Sequence, residues 1–411
     1  MTDKKSRVRQ VIVTVNGPGE ISSWLYPFAE ALKKKAPHFR VCAAMLPSVF
    51  RSGTEVEVLK SLAEIDAVSS VKETSRLIYR GELPGGFLRD VPGFVFHFGG
   101  EPFLSKRLAS RLRYPLLFYG EDIPFLPSRY ERIFLSTENK GPVSRKWGNN
   151  IMEVGNLMVD AARLRCPRRA APEPGSLTIG LFPGSRFYQV RQLLPFFLQL
   201  ARLVEPSLKS TFKSVNWLAA RAEYITMDIL KEAAANEEGR VLASDSGELN
   251  EATGALISPQ GIEIKICGPE TVMSRADMVI TIPGTNTAEL AVLGVPMLVL
   301  LPFQQAESYP MPGLAGHLHR IPLIGKYIKL FLLWLFWRKV KYVAYPNRKE
   351  KREIVPEVVG RITPEIVVDR LLEFLKKPFK PLGKELQAAM GSPGAAARLV
   401  DEVLEFLQNE G

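Results

Sequence analysis

The chain has 411 residues, of which 46% are apolar and 24% charged, and its formal net charge is +11. This is a globular composition, not a disordered one, and the length exceeds what one hydrophobic core ordinarily serves, so two domains are expected. The excess of cations asks for an acidic partner, yet basic residues are spread along the chain and no nucleic-acid-binding signature occurs, which leaves phosphorylated small molecules and an anionic membrane face.

The start, MTDKKSRVRQ, is polar and runs directly into an apolar stretch, which is not the pattern of a signal peptide. QVIVTVNGPGE (10–20) predicts a strand ending in a Gly-Pro-Gly turn, and SSWLYPFAEALKKKA (22–36) a helix capped by Ser22 or Ser23. FRVCAAML (39–46), GFVFHFGG (93–100), YPLLFYGE (114–121) and RIFLST (132–137) predict four further strands. CPRRAAPEPGS (166–176) is rich in Pro and Arg without periodicity, and reads as an interdomain linker after a first domain of 1–165.

The pattern then restarts. LTIGLFPGSR (177–186) is a strand and turn, followed by the helical run VRQLLPFFLQLARLVE (190–205). SVNWLAA (214–220), EIKICG (263–268), DMVITIPG (277–284) and PMLVLLP (296–302) are strands of a second domain assigned to 177–370. Residues 364–411 are helical, broken at KPFKPLG (377–383) and GSPG (391–394), and the C-terminal helices are set apart as 371–411. Continuous apolar runs between helices predict parallel sheets covered on both faces, hence an α/β protein of two Rossmann-like domains facing a cleft.

One segment breaks the alternation. In IPLIGKYIKLFLLWLFWRKVKYVAY (321–345) the apolar core from Leu330 to Trp337 is far short of the ~20 residues that cross a bilayer. Lys326, Lys329, Arg338, Lys339 and Lys341 bracket it, and Tyr327, Trp334, Trp337 and Tyr342 sit among them. Aromatic rings at headgroup level beside cations suit an interfacial helix, so Tyr327–Tyr342 is expected to meet an anionic membrane surface. The alternative is a core helix of the second domain. The Pro- and Gly-broken stretch before it makes about 310–345 a surface insertion.

Four turns stand at strand ends, where α/β sheets bind ligands: NGPGEISS (16–23), FGGEP (98–102), LFPGSRFYQV (181–190) and IPGTNTAE (282–289). Gly184 lets backbone approach a ligand, Ser185 can cap the next helix, and Arg186 is a fork-shaped donor matched to phosphate oxygens. The Gly284–Thr287 turn, with Thr285 and Asn286 between, puts backbone N–H groups and a helix N-terminus before an anion. The plain alternatives are a solvent-exposed Arg186 and an ordinary connection in which Thr285 or Asn286 caps the helix. Glu289, placed in the first turn, could accept from a ribose, or could simply favour the helix dipole by ~0.5 kcal/mol. No P-loop, no G-x-S-x-G elbow and no H-E-x-x-H sequence occurs, and Cys42, Cys166 and Cys267 lie far apart without metal spacing, which fits a reducing compartment. His97, ahead of the Gly pair, is either a pocket residue or a satisfied core histidine.

Taken in order, LFPGSR, then ADMVITIPGTNTAELAVLGVPMLVL, the apolar-basic patch and YVAYPNRKEKREIVPEVVG resemble the second domain of bacterial lipid-A-disaccharide synthases. GPGEISSW resembles that family's Gly-Glu-Ala-Ser-Gly-Asp turn, and EVGNLMVD (153–160) its Gly-His-x-x-x-Asp stretch. The resemblance covers most of the chain, strongly from about 176 to 365. It implies the GT-B fold and transfer of an acylated amino sugar from UDP to a lipid-linked acceptor, by a cytoplasmic protein peripheral on the inner face of the cytoplasmic membrane. UDP-sugar is then the donor substrate, with no metal and no other cofactor; a homo-oligomer stays open. Arg186 and Gly284–Thr287 would hold the diphosphate and Glu289 the ribose. Asn347 and Glu353 match the family's donor-site stretch, and Glu20 and Ser22 its first-domain turn.

Two departures stand out. Gly lies where the family carries the Asp expected as general base, in FGGEPFLS, so Glu101 is the nearest substitute, with Glu121 and Asp122 next. Asn156 holds the position of the family's His. A UDP-sugar epimerase on the same fold, or a non-catalytic lipid- or nucleotide-binding relative, are the alternatives.

Overall fold

The computed structural model describes residues 8–48, 53–136, 150–223, 225–235, 240–304 and 341–409. The chain divides into two compact units, Met1–Leu164 with Gly391–Gly411, and Arg165–Met390.

In the first unit seven strands are paired in parallel: β1 (Arg9–Val15), β2 (Phe39–Met45), β3 (Ala67–Ser69), β4 (Gly93–His97), β5 (Leu116–Gly120), β6 (Arg132–Leu135) and β7 (Ile151–Glu153). Their order is β3-β2-β1-β4-β5-β6-β7. The apolar runs are continuous because both faces are buried. Val11, Val13 and Val15 pack in one core with Phe28, Phe96 and Phe134, while Ile12 packs in another with Cys42, Val95 and Leu108. The chain leaves β1 toward β2 and β3, then returns to its other side at β4. The carboxyl ends of β1 and β4 therefore form the switch point at which such sheets bind ligands.

The helix after β1 starts earlier than its serines suggest. It opens with Pro18–Glu20, passes through a π turn at Ile21–Leu25 and continues as Tyr26–Lys35. Pro18 fits the first helical position, where a missing N–H costs nothing. Ser22 is therefore inside the helix, donating to Pro18 O at 3.0 Å, and neither Ser22 nor Ser23 is a cap.

In the second unit the strands are β8 (Ser176–Phe182), β9 (Ser214–Ala220), β10 (Glu248–Asn250), β11 (Ala255–Ile257), β12 (Glu263–Cys267), β13 (Met278–Thr281), β14 (Met297–Pro302) and β15 (Glu357–Gly360). Their order is β10-β11-β12-β9-β8-β13-β14-β15, parallel from β12 to β15. β10 and β11 add an antiparallel edge, absent from the sequence reading because three-residue strands carry no period. Here the order reverses between β8 and β13.

The stretch read as a linker is packed on this unit. Arg169 donates to Met273 O and Ala276 O, and Ala170 N–H to Ser274 O. The C-terminal helices are not one block. Pro364–Phe374 and Phe379–Met390 belong to the second unit, whereas Ala395–Asn409 belongs to the first. KPFKPLG does not break the helix throughout: Phe379 starts one, and Pro381 sits in its first turn, where the N–H that proline lacks would have had no intrahelical acceptor. Of the expected membrane-contact insertion at about 310–345, residues 310–340, with Tyr327, Trp334 and Trp337, lie outside the described residues. Among the described residues no helix is long and apolar enough to cross a membrane.

Candidate functional site

Each unit presents candidate groups at its own switch point. In the second unit, Phe182 of β8 pairs with Thr281 of β13, so the two turns that follow stand side by side. Pro183-Gly184-Ser185-Arg186 leads into the helix Phe187–Lys209, and Ile282-Pro283-Gly284 into the helix Thr285–Val292. Two helix N-termini thus share one strand-end ledge, and their first N–H groups have no intrahelical acceptor.

The local chemistry fixes both turns. Gly184 has φ +101°, a left-handed conformation, and a Cβ there would strike the Gln189 side chain. Gln189 Oε1 accepts the Arg186 N–H at 3.2 Å. Arg186, not Ser185, takes the capping position, and its guanidinium lies 3.5 Å from Tyr188 Oη. On the other side Gly284 is the capping residue rather than Thr285 or Asn286. Asn286 donates to Thr281 Oγ1 and accepts the Thr287 N–H at 3.0 Å. Buried Thr287 donates to Gly284 O at 2.8 Å and accepts the Tyr345 N–H at 3.1 Å. The turn is held from below while Gly284 and Thr285 stay exposed.

The other expected donor-site residues sit elsewhere in the unit. Glu289 is in the second turn, not the first, and only 5% exposed; its carboxylate accepts from Arg165 at 2.7 Å. Arg165 also donates to Glu270 Oε1 at 2.6 and 2.9 Å. Asn347 is fully buried and gives all its amide capacity to protein: it donates to Val355 O and Glu357 Oε1 and accepts from Ile354 and Val355 N–H. It holds the turn rather than facing a ligand. Glu353 is exposed and paired with Arg370 at 2.9 Å. Arg165 and Glu357, which anchor these residues, were missed; Arg165 is 124 positions from Glu289, and nothing local in the sequence joins them.

In the first unit, Glu20 follows β1 and the pair Gly99-Gly100 follows β4. A Cβ on Gly99 would lie 2.9 Å from Glu20 Cγ and 3.0 Å from Asn16 Oδ1, and one on Gly17 would lie 3.3 Å from Glu20 Oε2. The glycines leave the space that the Glu20 side chain fills. Burial pushes the Glu20 carboxyl up to about 7, against the opposing effect of the Glu20 and Gly17 backbone N–H groups. Glu101 is exposed at the head of the helix Pro102–Leu112, without a side-chain capping bond, and Asp122 is exposed in the loop after β5. Glu121 is half-buried beside it. Of the carboxylates expected to act, Glu20 is the one that glycines close in and that burial pushes up to about 7.

His97 is a core group. Its Nδ1 lies 2.8 Å from Ser105 Oγ and 3.3 Å from Thr14 Oγ1, and its ring stacks on Phe118 at 5.7 Å. Burial pushes it down to about 4, so it is neutral at pH 7. Among the described residues no group of three or more His, Cys, Asp or Glu is placed to hold a metal ion.

No protein-family model matches the chain. Curated relatives named lipid-A-disaccharide synthase include those of Syntrophus aciditrophicus, 24% identical over 278 residues (65% of this chain, 60% of that protein), and Geobacter metallireducens, 26% identical over 280 residues (65% and 60%). The chain thus spans about 60% of the length of these relatives. Among solved structures, a UDP-GlcNAc 2-epimerase from Neisseria meningitidis bound to UDP-GlcNAc is 13% identical at a TM-score of 0.52, covering 97% of this chain and 100% of that one. The calicheamicin glycosyltransferase is 11% identical at a TM-score of 0.52, covering 98% and 99%. At these identities the structures speak for the fold alone, which is of the two-domain GT-B class. The chain is similar to the lipid-A-disaccharide synthases to the degree expected of a divergent relative.

Proposed function

We propose that the chain is a glycosyltransferase that moves an acylated amino sugar from UDP to a lipid-linked acceptor and releases UDP. The observation that carries this reading is the pairing of the Arg186 and Gly284 turns, each opening a helix, at the β8/β13 switch point. Two positive helix ends and a guanidinium suit a diphosphate whose charge grows as the glycosidic bond breaks. Binding of UDP-GlcNAc by a protein of the same fold agrees with it.

In the first unit Glu20 is the general base. Its carboxylate takes the proton of the acceptor hydroxyl as that oxygen bonds to the anomeric carbon, while the carbon–oxygen bond to UDP breaks and its electron pair leaves with the diphosphate. The proton then passes to solvent. A proton affinity near 7 balances basicity against the fraction ionised at neutral pH. Asp122 and Glu101 are both exposed, which favours Glu20 for the role.

A lipid acceptor is supported by the relatives' name and by two exposed rings, Phe103 in the first turn of the helix Pro102–Leu112 and Phe125 in the loop after β5; Phe125 is 94% exposed and belongs to no described core. These side chains suit acyl chains or a bilayer surface, and the protein is then peripheral on the cytoplasmic face of the membrane.

The decisive experiment incubates the purified protein with UDP-sugars and a membrane lipid extract. UDP release that requires lipid supports transfer. Epimerised sugar formed without lipid, or no turnover with any donor, removes it. Arg186→Ala should weaken UDP binding about 10- to 100-fold, the loss of charge-assisted bonds, with unchanged affinity in calorimetry refuting the diphosphate role.

A further inference from the structure

β1 is followed by Asn16-Gly17, the only Asn-Gly pair in the sequence. Its setting differs from that of an ordinary turn. Gly17 caps the helix that opens at Pro18, so its N–H is not part of the helical ladder. That N–H donates to the Glu20 carboxylate instead, and a Cβ on Gly17 would lie 3.3 Å from Glu20 Oε2. Asn16 Oδ1 and Glu20 Cδ each lie 3.0 Å from the point that a Cβ on Gly99 would occupy, so the two side chains converge over Gly99. The Asn16 amide is half-buried, and nothing among the described residues bonds it.

An Asn side chain followed by Gly is open to attack by the next backbone nitrogen, because no Cβ shields that nitrogen. In most folded turns two restraints oppose the reaction. The N–H is spent on a carbonyl, and the Asn amide is pinned by its own hydrogen bonds. Neither restraint acts on Asn16. A carboxylate seated on the attacking N–H is also the group that can remove its proton, and burial gives Glu20 the basicity to do so near neutral pH.

We propose that Asn16 is a modification site, at which the Gly17 nitrogen attacks the side-chain amide carbon with Glu20 as base and Asn16 becomes aspartate or isoaspartate. Glu20 takes the Gly17 proton as the nitrogen's electron pair bonds to Asn16 Cγ. The bond from Cγ to Nδ2 then breaks, and that nitrogen leaves with the proton as ammonia. Water opens the resulting succinimide at either carbonyl. Water is consumed and ammonia released, with no change of oxidation state. The product sets a second carboxylate beside Glu20. Like charges raise each other's proton affinity, so Glu20 then keeps its proton at neutral pH and no longer serves as a base. That consequence rests on the transferase reading; the modification does not.

The test ages the purified full chain at neutral pH in water enriched in heavy oxygen and reads the peptide spanning residue 16 by mass spectrometry. Residue 16 should lose its amide nitrogen and gain labelled oxygen. Glu20→Gln should slow this at least about tenfold, the loss of a general base. The chain unfolded in urea, where Glu20 is no longer held against Gly17, should react more slowly than the folded chain, and this comparison decides should Glu20→Gln fail to fold. A folded chain that keeps Asn16 while the unfolded one loses it, or a rate untouched by Glu20→Gln, overturns the proposal. Asn16→Asp should lower kcat/KM about tenfold at neutral pH with UDP affinity unchanged, and undiminished kcat/KM overturns the silencing of Glu20. Labelling without lipid-dependent UDP release keeps the modification and removes the transferase; lipid-dependent release from a chain that keeps Asn16 does the reverse.

Discussion

Asp160 holds the head of a helix that lies 234 positions further on: its two carboxylate oxygens accept the N–H groups of Gly394 and Ala396, each at 2.7 Å. A carboxylate at this point satisfies two orphan donors and meets the positive end of the helix dipole. Asp160→Ala should cost about 1–2 kcal/mol of stability in urea unfolding, and Asp160→Asn, which keeps one acceptor, clearly less. Equal losses would mean that charge, not geometry, makes the contact.

Arg165 presents the opposite hazard. Its partner Glu289 has 6% of its side chain exposed and no second cation within ion-pair distance among the described residues. Arg165→Met would leave that carboxylate buried and unpaired, at a cost of about 3 kcal/mol in denaturant titration at neutral pH. Arg165→Met with Glu289→Gln should recover much of the loss. If the single variant is as stable as the parent, water reaches the carboxylate and Glu289 is open to ligand.

Glu20 and His97 pull stability in opposite directions with pH. The Glu20 carboxyl is raised in the fold from 4.5 to about 7, so its favourable contribution is complete below pH 4.5 and is lost as pH rises through 7. His97 is lowered from 6.5 to about 4, so its contribution is complete above pH 6.5 and is lost as pH falls through 4. The parent protein can therefore show a flat profile between the two. Glu20→Gln should be about 2 kcal/mol more stable than the parent at pH 8, allowing for the solvent the carboxyl still sees, and no more stable below pH 4.5. His97→Gln should lose about 3 kcal/mol of acid dependence. Chemical unfolding across this pH range reads both.

The same carboxyl dictates the activity profile. Catalysis by ionised Glu20 predicts that kcat/KM climbs with pH and levels off above about 7, and that Glu20→Gln removes turnover while leaving UDP affinity intact. Turnover that survives Glu20→Gln would return the role to an exposed carboxylate such as Glu101.

Gly184→Ala tests the second unit's turn. At φ +101° a side chain is strained, and the added methyl must displace Gln189, which anchors the Arg186 N–H. Roughly 1–2 kcal/mol of stability should be lost. UDP affinity should drop with it, read by calorimetry on the folded protein.

How far the sequence reaches is clear from particular elements. Strands buried on both faces, such as Arg9–Val15 and Met278–Thr281, announce themselves as largely apolar runs. Ala67–Ser69 and Glu248–Asn250 do not, because three residues define no period. The strand-end turns at Gly184 and Gly284 were legible from their composition, and their adjacency follows only from β8 pairing with β13. Choosing among carboxylates was beyond the sequence. Glu20 and Glu101 each stand beside glycines, and what separates them is burial, set by Asn16, Gly17 and Gly99 closing on one and not on the other. Asn347 misled for a related reason: its buried amide binds Val355 and Glu357, contacts that its neighbours in the chain do not reveal until the turn is built.

The helix Ala395–Asn409 buries Leu399, Val400, Val403 and Phe406 in the same core as Phe28 and Phe96. On the ribosome, the unit made second has its residues in hand while the one made first still lacks this piece. Until it emerges, Phe28, Phe96 and their neighbours stay partly uncovered, a period in which aggregation competes and a holding chaperone is of use. A fragment ending at residue 164 carries that exposure permanently, and expressing the amino-terminal unit alone requires residues 391–411 to be spliced back onto it.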